Sequence, residues 1–122
     1  MLDTHIAVAF YDGRRAGLSV RTQRLVDQAP ALVSPIVLLE MEVLHEIGRL
    51  RTSAAEIAKH LKEHLDIQVA GERFADVARA ALDFGFTRDP FDRLIVAHAS
   101  LLKARLVTHD DLLQQHYPHA LS

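Results

Sequence analysis

Four acidic residues stand where an α/β chain is least able to solvate them: Asp3, Glu40, Asp92 and Asp110. Each falls at a strand end or on the apolar face of an expected helix, far apart in sequence. Burying a carboxylate costs several kcal/mol, roughly, unless a cation or strong donors compensate. Four such positions in one small chain imply a shared counter-ion. An all-oxygen donor set favours a hard divalent cation, Mg²⁺ or Mn²⁺. The chemistry this allows is metal-assisted reaction at a phosphate.

The helical patterns single out these acids from their neighbours. Glu40 shares its expected helix face with Ile36, Val37, Val43, Leu44 and Ile47, which places it inside the apolar stripe. Glu42 groups with His45, Glu46 and Arg49, as a solvated glutamate should. Asp92 precedes Ile95, Val96 and Ala99 on one face and sits near a helix start, where the dipole favours an anion. Asp3 ends a first strand and Asp110 follows Leu106-Val107-Thr108. Either could be a simple helix cap, and Asp89 reads as one. Thr108 could hydrogen-bond a neighbouring carboxylate, and His5, His98 and His109 lie near these segments without a zinc-protease spacing. Ser34 has no Gly-x-Ser-x-Gly context and reads as a helix cap.

Alternating strands and helices must position these side chains. A strand is expected at residues 1–3, then a helix over 6–11 capped by Asp3 or Thr4. A turn follows at Asp12-Gly13-Arg14-Arg15, and a helix over 18–28 with Leu18, Leu25 and Val26 inward. A strand at 31–33 leads into Ser34-Pro35, an N-cap followed by a proline at the first helical position, and a helix to about Gly48. Ser53-Ala54-Ala55-Glu56 is a capping box opening a helix to about His64. A strand over 67–69 precedes a helix over 72–84 with Phe74, Val77, Ala78, Ala81 and Leu82 inward. Asp89-Pro90-Phe91-Asp92 opens a helix to about Ala104. Leu106-Val107-Thr108 is a strand, residues 110–116 are helical, and the tail is irregular or a short edge strand. This alternation predicts a mostly parallel sheet flanked by helices, with ligands outside the carboxyl ends of the strands.

Composition bounds the answer. The chain has 122 residues, enough for one domain, and 49% hydrophobic residues, enough for a core. There are no cysteines, which excludes thiolate metal sites and fits a reducing cytoplasm. No apolar run reaches the roughly 20 residues that span a bilayer, and no signal-peptide pattern opens the sequence. A soluble, cytoplasmic protein is expected. The net charge of −2 argues weakly against a non-specific polyanion binder. The cations are mostly arginine, whose planar fork suits phosphate and carboxylate equally, so charge alone does not decide the partner; Arg14, Arg15 and Arg93 are candidates for holding a phosphate backbone, with salt bridges as the plainer use.

These segments together resemble the PIN-domain nucleases, and most closely the VapC-like toxins of bacterial toxin–antitoxin pairs. The matching pieces are Leu2-Asp3-Thr4-His5, Ser34-Pro35 with Leu39-Glu40 and Glu46-Ile47-Gly48-Arg49, the run from Asp89 to Ala97, and Val107-Thr108-His109-Asp110. Their order and spacing span nearly the whole chain. The resemblance implies a PIN-like three-layer α/β/α domain with a small central sheet. It implies RNA cleavage with Mg²⁺ or Mn²⁺ by Asp3, Glu40, Asp92 and Asp110, leaving a 5′-phosphate and a 3′-hydroxyl. Asp3 and Asp92 would bind the main metal directly, Glu40 directly or through water, and Asp110 would complete a weaker position. Thr108, Ser34 and His5 would support them. It also implies a homodimer and a cognate antitoxin. Only Met1 and Leu2 precede Asp3, fewer residues than the family usually has, so either the first strand is clipped or the native chain begins upstream.

Rival readings are weaker. A haloacid-dehalogenase-type phosphatase would want an aspartate where His5 stands. A receiver domain would want paired acids after the first strand and a lysine after the last core strand, and has neither here. The strongest alternative is a catalytically weak or inactive PIN fold that serves as a binding or regulatory partner.

Overall fold

A computed structural model describes residues 1–122. Seven helices alternate with short parallel strands. They are α1 (Thr4–Tyr11), α2 (Val20–Gln28), β1 (Leu32–Val33), α3 (Pro35–Glu46), α4 (Ala54–Leu65), β2 (Gln68–Val69), α5 (Phe74–Ala81), α6 (Pro90–Leu101), β3 (Leu106–Val107), α7 (Asp111–His116) and β4 (Ala120–Leu121).

The sheet is held together by one residue. β1 pairs in parallel with β2, and β3 with β4. Leu2 bridges both pairs, meeting Val33 on one side and Val107 on the other, again in parallel. Its amide donates to Leu32 O at 2.8 Å, and Asp3 N donates to Val107 O at 3.0 Å. The expected first strand is thus a single bridging residue, and it lies at the centre of the order β2–β1–Leu2–β3–β4. Leu2, Val33, Leu106 and Val107 are buried in one core with Ile6, Val37, Met41, Ile57, Ile95 and Leu113. The α/β class with a parallel sheet stands as expected.

Local chemistry sets the helix starts. Asp3 caps α1 by accepting from Thr4 N, Ser53 caps α4, Asp89 caps α6, and Asp110 caps α7 by accepting from Leu113 N. Ser19, not singled out in the sequence, caps α2 and delays its start to Val20, while Leu18 is buried ahead of it. The helix ends fall short of the periodic patterns. α3 stops at Glu46, before the left-handed Gly48 (φ +82°), and α6 stops at Leu101.

Two assignments of helix faces need correction. Phe74 and Leu82 were expected inward, yet they are 67% and 74% exposed. α5 is short, and it buries only Val77 and Ala81. On α3, Val37 and Met41 face the core, whereas Val43 is at the margin and Ile47 is 61% exposed. Glu40 therefore lies at the edge of the buried face, not within it. The helix carries more apolar residues than its core contact consumes. Glu42 is not merely solvated, because its Oε2 accepts from Ala54 N at 3.0 Å and helps seat α4.

Candidate active site: an unpaired carboxylate cluster

Asp3, Ser34 and Thr108 each follow a bridged residue of the parallel sheet, so they share its carboxyl edge. Asp3 is buried and held from two sides. Its Oδ1 accepts from Thr4 N at 2.8 Å, and its Oδ2 accepts from the Thr108 hydroxyl at 2.6 Å. The same Thr108 Oγ1 accepts from Asp110 N at 3.0 Å. Thr108 thereby ties the first acid to the backbone of the last. This is the carboxylate partnership considered for it, and it fixes a rotamer that repulsion alone would randomise.

Glu40 reaches the cluster from α3 and Asp92 from the first turn of α6. Burial pushes Asp92 up to about 7 from an ordinary 3.8, and the negative charges of Asp89, Asp3, Asp110 and Glu40 add to the shift. Burial also raises Glu40, reinforced by Asp3 and Asp89, while the Thr4 hydroxyl and His5 pull it back. Asp3, Glu40 and Asp110 thus all lie near enough to Asp92 for their charges to act on it. Asp89 joins them: it is the α6 cap expected from sequence, and it is also the largest charge acting on Asp92. Its cap signature concealed that second effect.

No lysine or arginine forms an ion pair within this cluster, and the exposed His5 is the one basic group that acts on Glu40. The ion pairs are Arg14–Asp12, Arg15–Asp27, Arg73–Asp76, Arg79–Asp76 and His98–Glu72, and none includes Asp3, Glu40, Asp92 or Asp110. A structural arginine partner for Glu40 is thereby excluded. The Thr4 hydroxyl is fully buried and makes no hydrogen bond of ordinary length. Carboxylate oxygens without a lysine or arginine partner, beside a buried hydroxyl that makes no full hydrogen bond, suit a hard divalent cation. As the side chains stand, no three of these groups converge to ligand distance of a single point.

The remaining candidates are placed as follows. His5 is exposed near Glu40 and counters its charge. His109 bonds the carbonyl of Ala16 and so fastens the 13–17 loop beside the site. A cleft of about 600 Å³ runs between His5, His109, Arg14 and Arg15. Arg14 is paired with Asp12 at 3.1 Å and Arg15 with Asp27 at 2.9 Å, both exposed. Arg93 donates to Ala81 O at 3.1 Å, linking α6 to the end of α5. Ser34 stands at the N-cap of α3 but does not cap it; its hydroxyl is bonded to His98 instead, at 2.8 Å. His98 is buried, its other ring nitrogen lies 3.0 Å from Glu72, and neither of its two partners is one of the four acids. The link to Glu72 had no signal in the sequence, because Glu72 looks like any helix-start glutamate.

The PIN domain profile matches residues 1–117. No curated protein gives a significant match. Among solved structures, a toxin–antitoxin complex from Klebsiella pneumoniae is similar. It is 19% identical, the likeness covers 99% of this chain and 94% of that one, and the TM-score is 0.66. No helix here is long and apolar enough to cross a membrane. With a profile match running from Met1 to Tyr117, the chain belongs to the PIN domain family.

Proposed function

We propose that residues 1–122 form a single domain that cleaves RNA phosphodiester bonds with Mg²⁺ or Mn²⁺, as the toxin of a cytoplasmic toxin–antitoxin pair. The observation that carries this reading is that Asp3, Glu40 and Asp110, none of them in an ion pair, all act on the raised Asp92 near the carboxyl edge. Membership of a nuclease family supports the phosphodiester chemistry. The likeness to a toxin–antitoxin complex supports an antitoxin partner.

In this mechanism Asp3 and Asp92 would hold the cation, Glu40 and Asp110 would complete its surroundings, and Thr108 keeps Asp3 oriented. The bound cation would lower the pKa of water and offset charge on the phosphoryl oxygens. Asp92 carries a raised proton affinity, so it would have to be deprotonated to serve as a ligand. Arg14 and Arg15 line the cleft leading away from His5 and His109, and they can exchange their exposed aspartate partners for RNA phosphates. Leu39, Val43 and Ile47 repeat every fourth residue on the open side of α3, and Phe74 and Leu82 stand out from α5. An apolar surface of this kind suits a second copy of the chain or the antitoxin.

Mn²⁺ titration with cleavage of a single-stranded RNA tests the reading. The wild-type chain should bind the ion, cut, and lose cleavage on chelation, and Asp3→Asn should do none of these. A second reading is an inactive PIN fold kept as a binding partner. It is favoured by the lack of any three groups at ligand distance. Retained folding with no Mn²⁺ binding would select it.

A further inference from the structure

Glu72, His98 and Ser34 form a hydrogen-bonded chain through the interior. Ser34 Oγ lies 2.8 Å from His98 Nδ1, and His98 Nε2 lies 3.0 Å from Glu72 Oε1. Ser34 is 2% exposed and His98 is 1% exposed. The three residues belong to the β1–α3 junction, to α6 and to the connection before α5. None of them is used by the carboxylate cluster.

Proton placement follows from the partners. A carboxylate only accepts, so His98 Nε2 carries the hydrogen toward Glu72. A neutral imidazole then presents Nδ1 as an acceptor, and the Ser34 hydroxyl donates to it. This explains why Ser34 occupies an N-cap position without capping: its hydroxyl is committed elsewhere. The order of groups resembles that of a serine hydrolase, but nucleophilic chemistry does not fit. The residue after such a serine supplies an oxyanion-binding amide, and here that residue is Pro35, which has none. The hollow that Ser34, His98 and Glu72 line is only about 50 Å³, too small to seat a substrate.

The relay has a mechanical place in the fold. α3 packs against α6. Six positions separate Ser34 from Glu40 on α3, and six separate Asp92 from His98 on α6. Ser34 meets His98, and Glu40 acts on Asp92, so the two helices run antiparallel with the relay and the carboxylates as separate rungs. At 1.5 Å per residue the rungs are about 9 Å apart. We propose that Glu72–His98–Ser34 is a positioning relay that locks α3 to α6 and thereby sets the spacing of Glu40 from Asp92 in the cation site. The proposal rests on the nuclease reading above. It assigns no chemistry to the three residues themselves.

The test uses Ser34→Ala, Glu72→Ala and Glu72→Gln in the full chain. Mn²⁺ affinity and the kcat and KM for a single-stranded RNA are measured well below each variant's unfolding midpoint. Histidine ¹⁵N shifts report the tautomer of His98. The wild type should show the Nε2–H form. Ser34→Ala and Glu72→Ala should each weaken Mn²⁺ binding about tenfold and lower kcat without raising KM, whereas Glu72→Gln, which still accepts from Nε2, should stay within about twofold of wild type. Variants that lose only thermal stability, keeping Mn²⁺ affinity and kcat, would reduce the relay to packing and overturn the proposal. A proton on Nδ1 would overturn it too. If Ser34→Ala does not fold, Glu72→Ala decides, since Glu72 is partly exposed. A wild-type chain that binds no Mn²⁺ overturns the nuclease reading, visible before any variant is made, and the relay proposal with it.

Discussion

Asp92 occupies the least comfortable place in the molecule. The folded chain holds its proton to about pH 7, while the unfolded chain releases it near 3.8. Unfolding therefore releases a proton between these values, and the stability of the metal-free chain falls as pH rises from about 4 to 7, then levels off. Asp92→Asn should flatten that slope, leaving the smaller share due to Glu40, and stabilise the metal-free chain at pH 8 by about 1 kcal/mol, a figure discounted for the partial exposure of the group. Thermal melts at pH 5 and pH 8 without divalent ions check this; an unchanged slope in the variant would contradict it. Saturating Mg²⁺ should raise the wild-type midpoint and leave that of the variant nearly still. Thr108→Val is the complementary change. It keeps the shape but removes the donor to Asp3, so about 1.5–3 kcal/mol of stability should be lost, with weaker Mn²⁺ binding. The placement of these acids at strand ends and helix faces was legible in the sequence, whereas the grip of Thr108 on both Asp3 and Asp110 depends on two loops meeting in space.

Among the elements, those opened by short-range chemistry were the most legible. Ser53 accepts from Glu56 N as its capping box implies, and Asp89-Pro90 opens α6 as expected. Ser53→Ala should cost about 1 kcal/mol in a denaturant melt. The Ser34 position shows the limit of such signals. Its sequence context is that of a cap, but a histidine distant in sequence claims the hydroxyl. The same limit explains α5 and α3. Periodicity says which residues share a face, but only the packed fold says which face is covered. Phe74 and Leu82 fit a helical stripe and still lie outside, because α5 meets α6 through Val77 and Ala81. Leu82→Gln should accordingly change the monomer's stability by no more than about 0.5 kcal/mol. A loss of several kcal/mol would mean that this side chain packs in a way the structure does not show.

At the scale of the whole molecule, a thin parallel sheet aligns Asp3, Ser34 and Thr108 along one edge, and helices deliver Glu40 and Asp92 to it. The α/β class and this edge were legible from the alternation of elements. The role of Leu2 as a one-residue bridge was not, since a single paired residue leaves no periodic trace. The central claim is that folding gathers distant carboxylates into one cation-binding notch. Calorimetric titration of the metal-free wild-type chain with Mn²⁺ at pH 7.5 (roughly above the Asp92 proton loss) measures it directly, with Asp3→Asn and Asp92→Asn alongside. The wild type should bind saturably, and both variants should lose that binding while remaining folded. Undiminished binding in both variants, or none in the wild type, would contradict the claim.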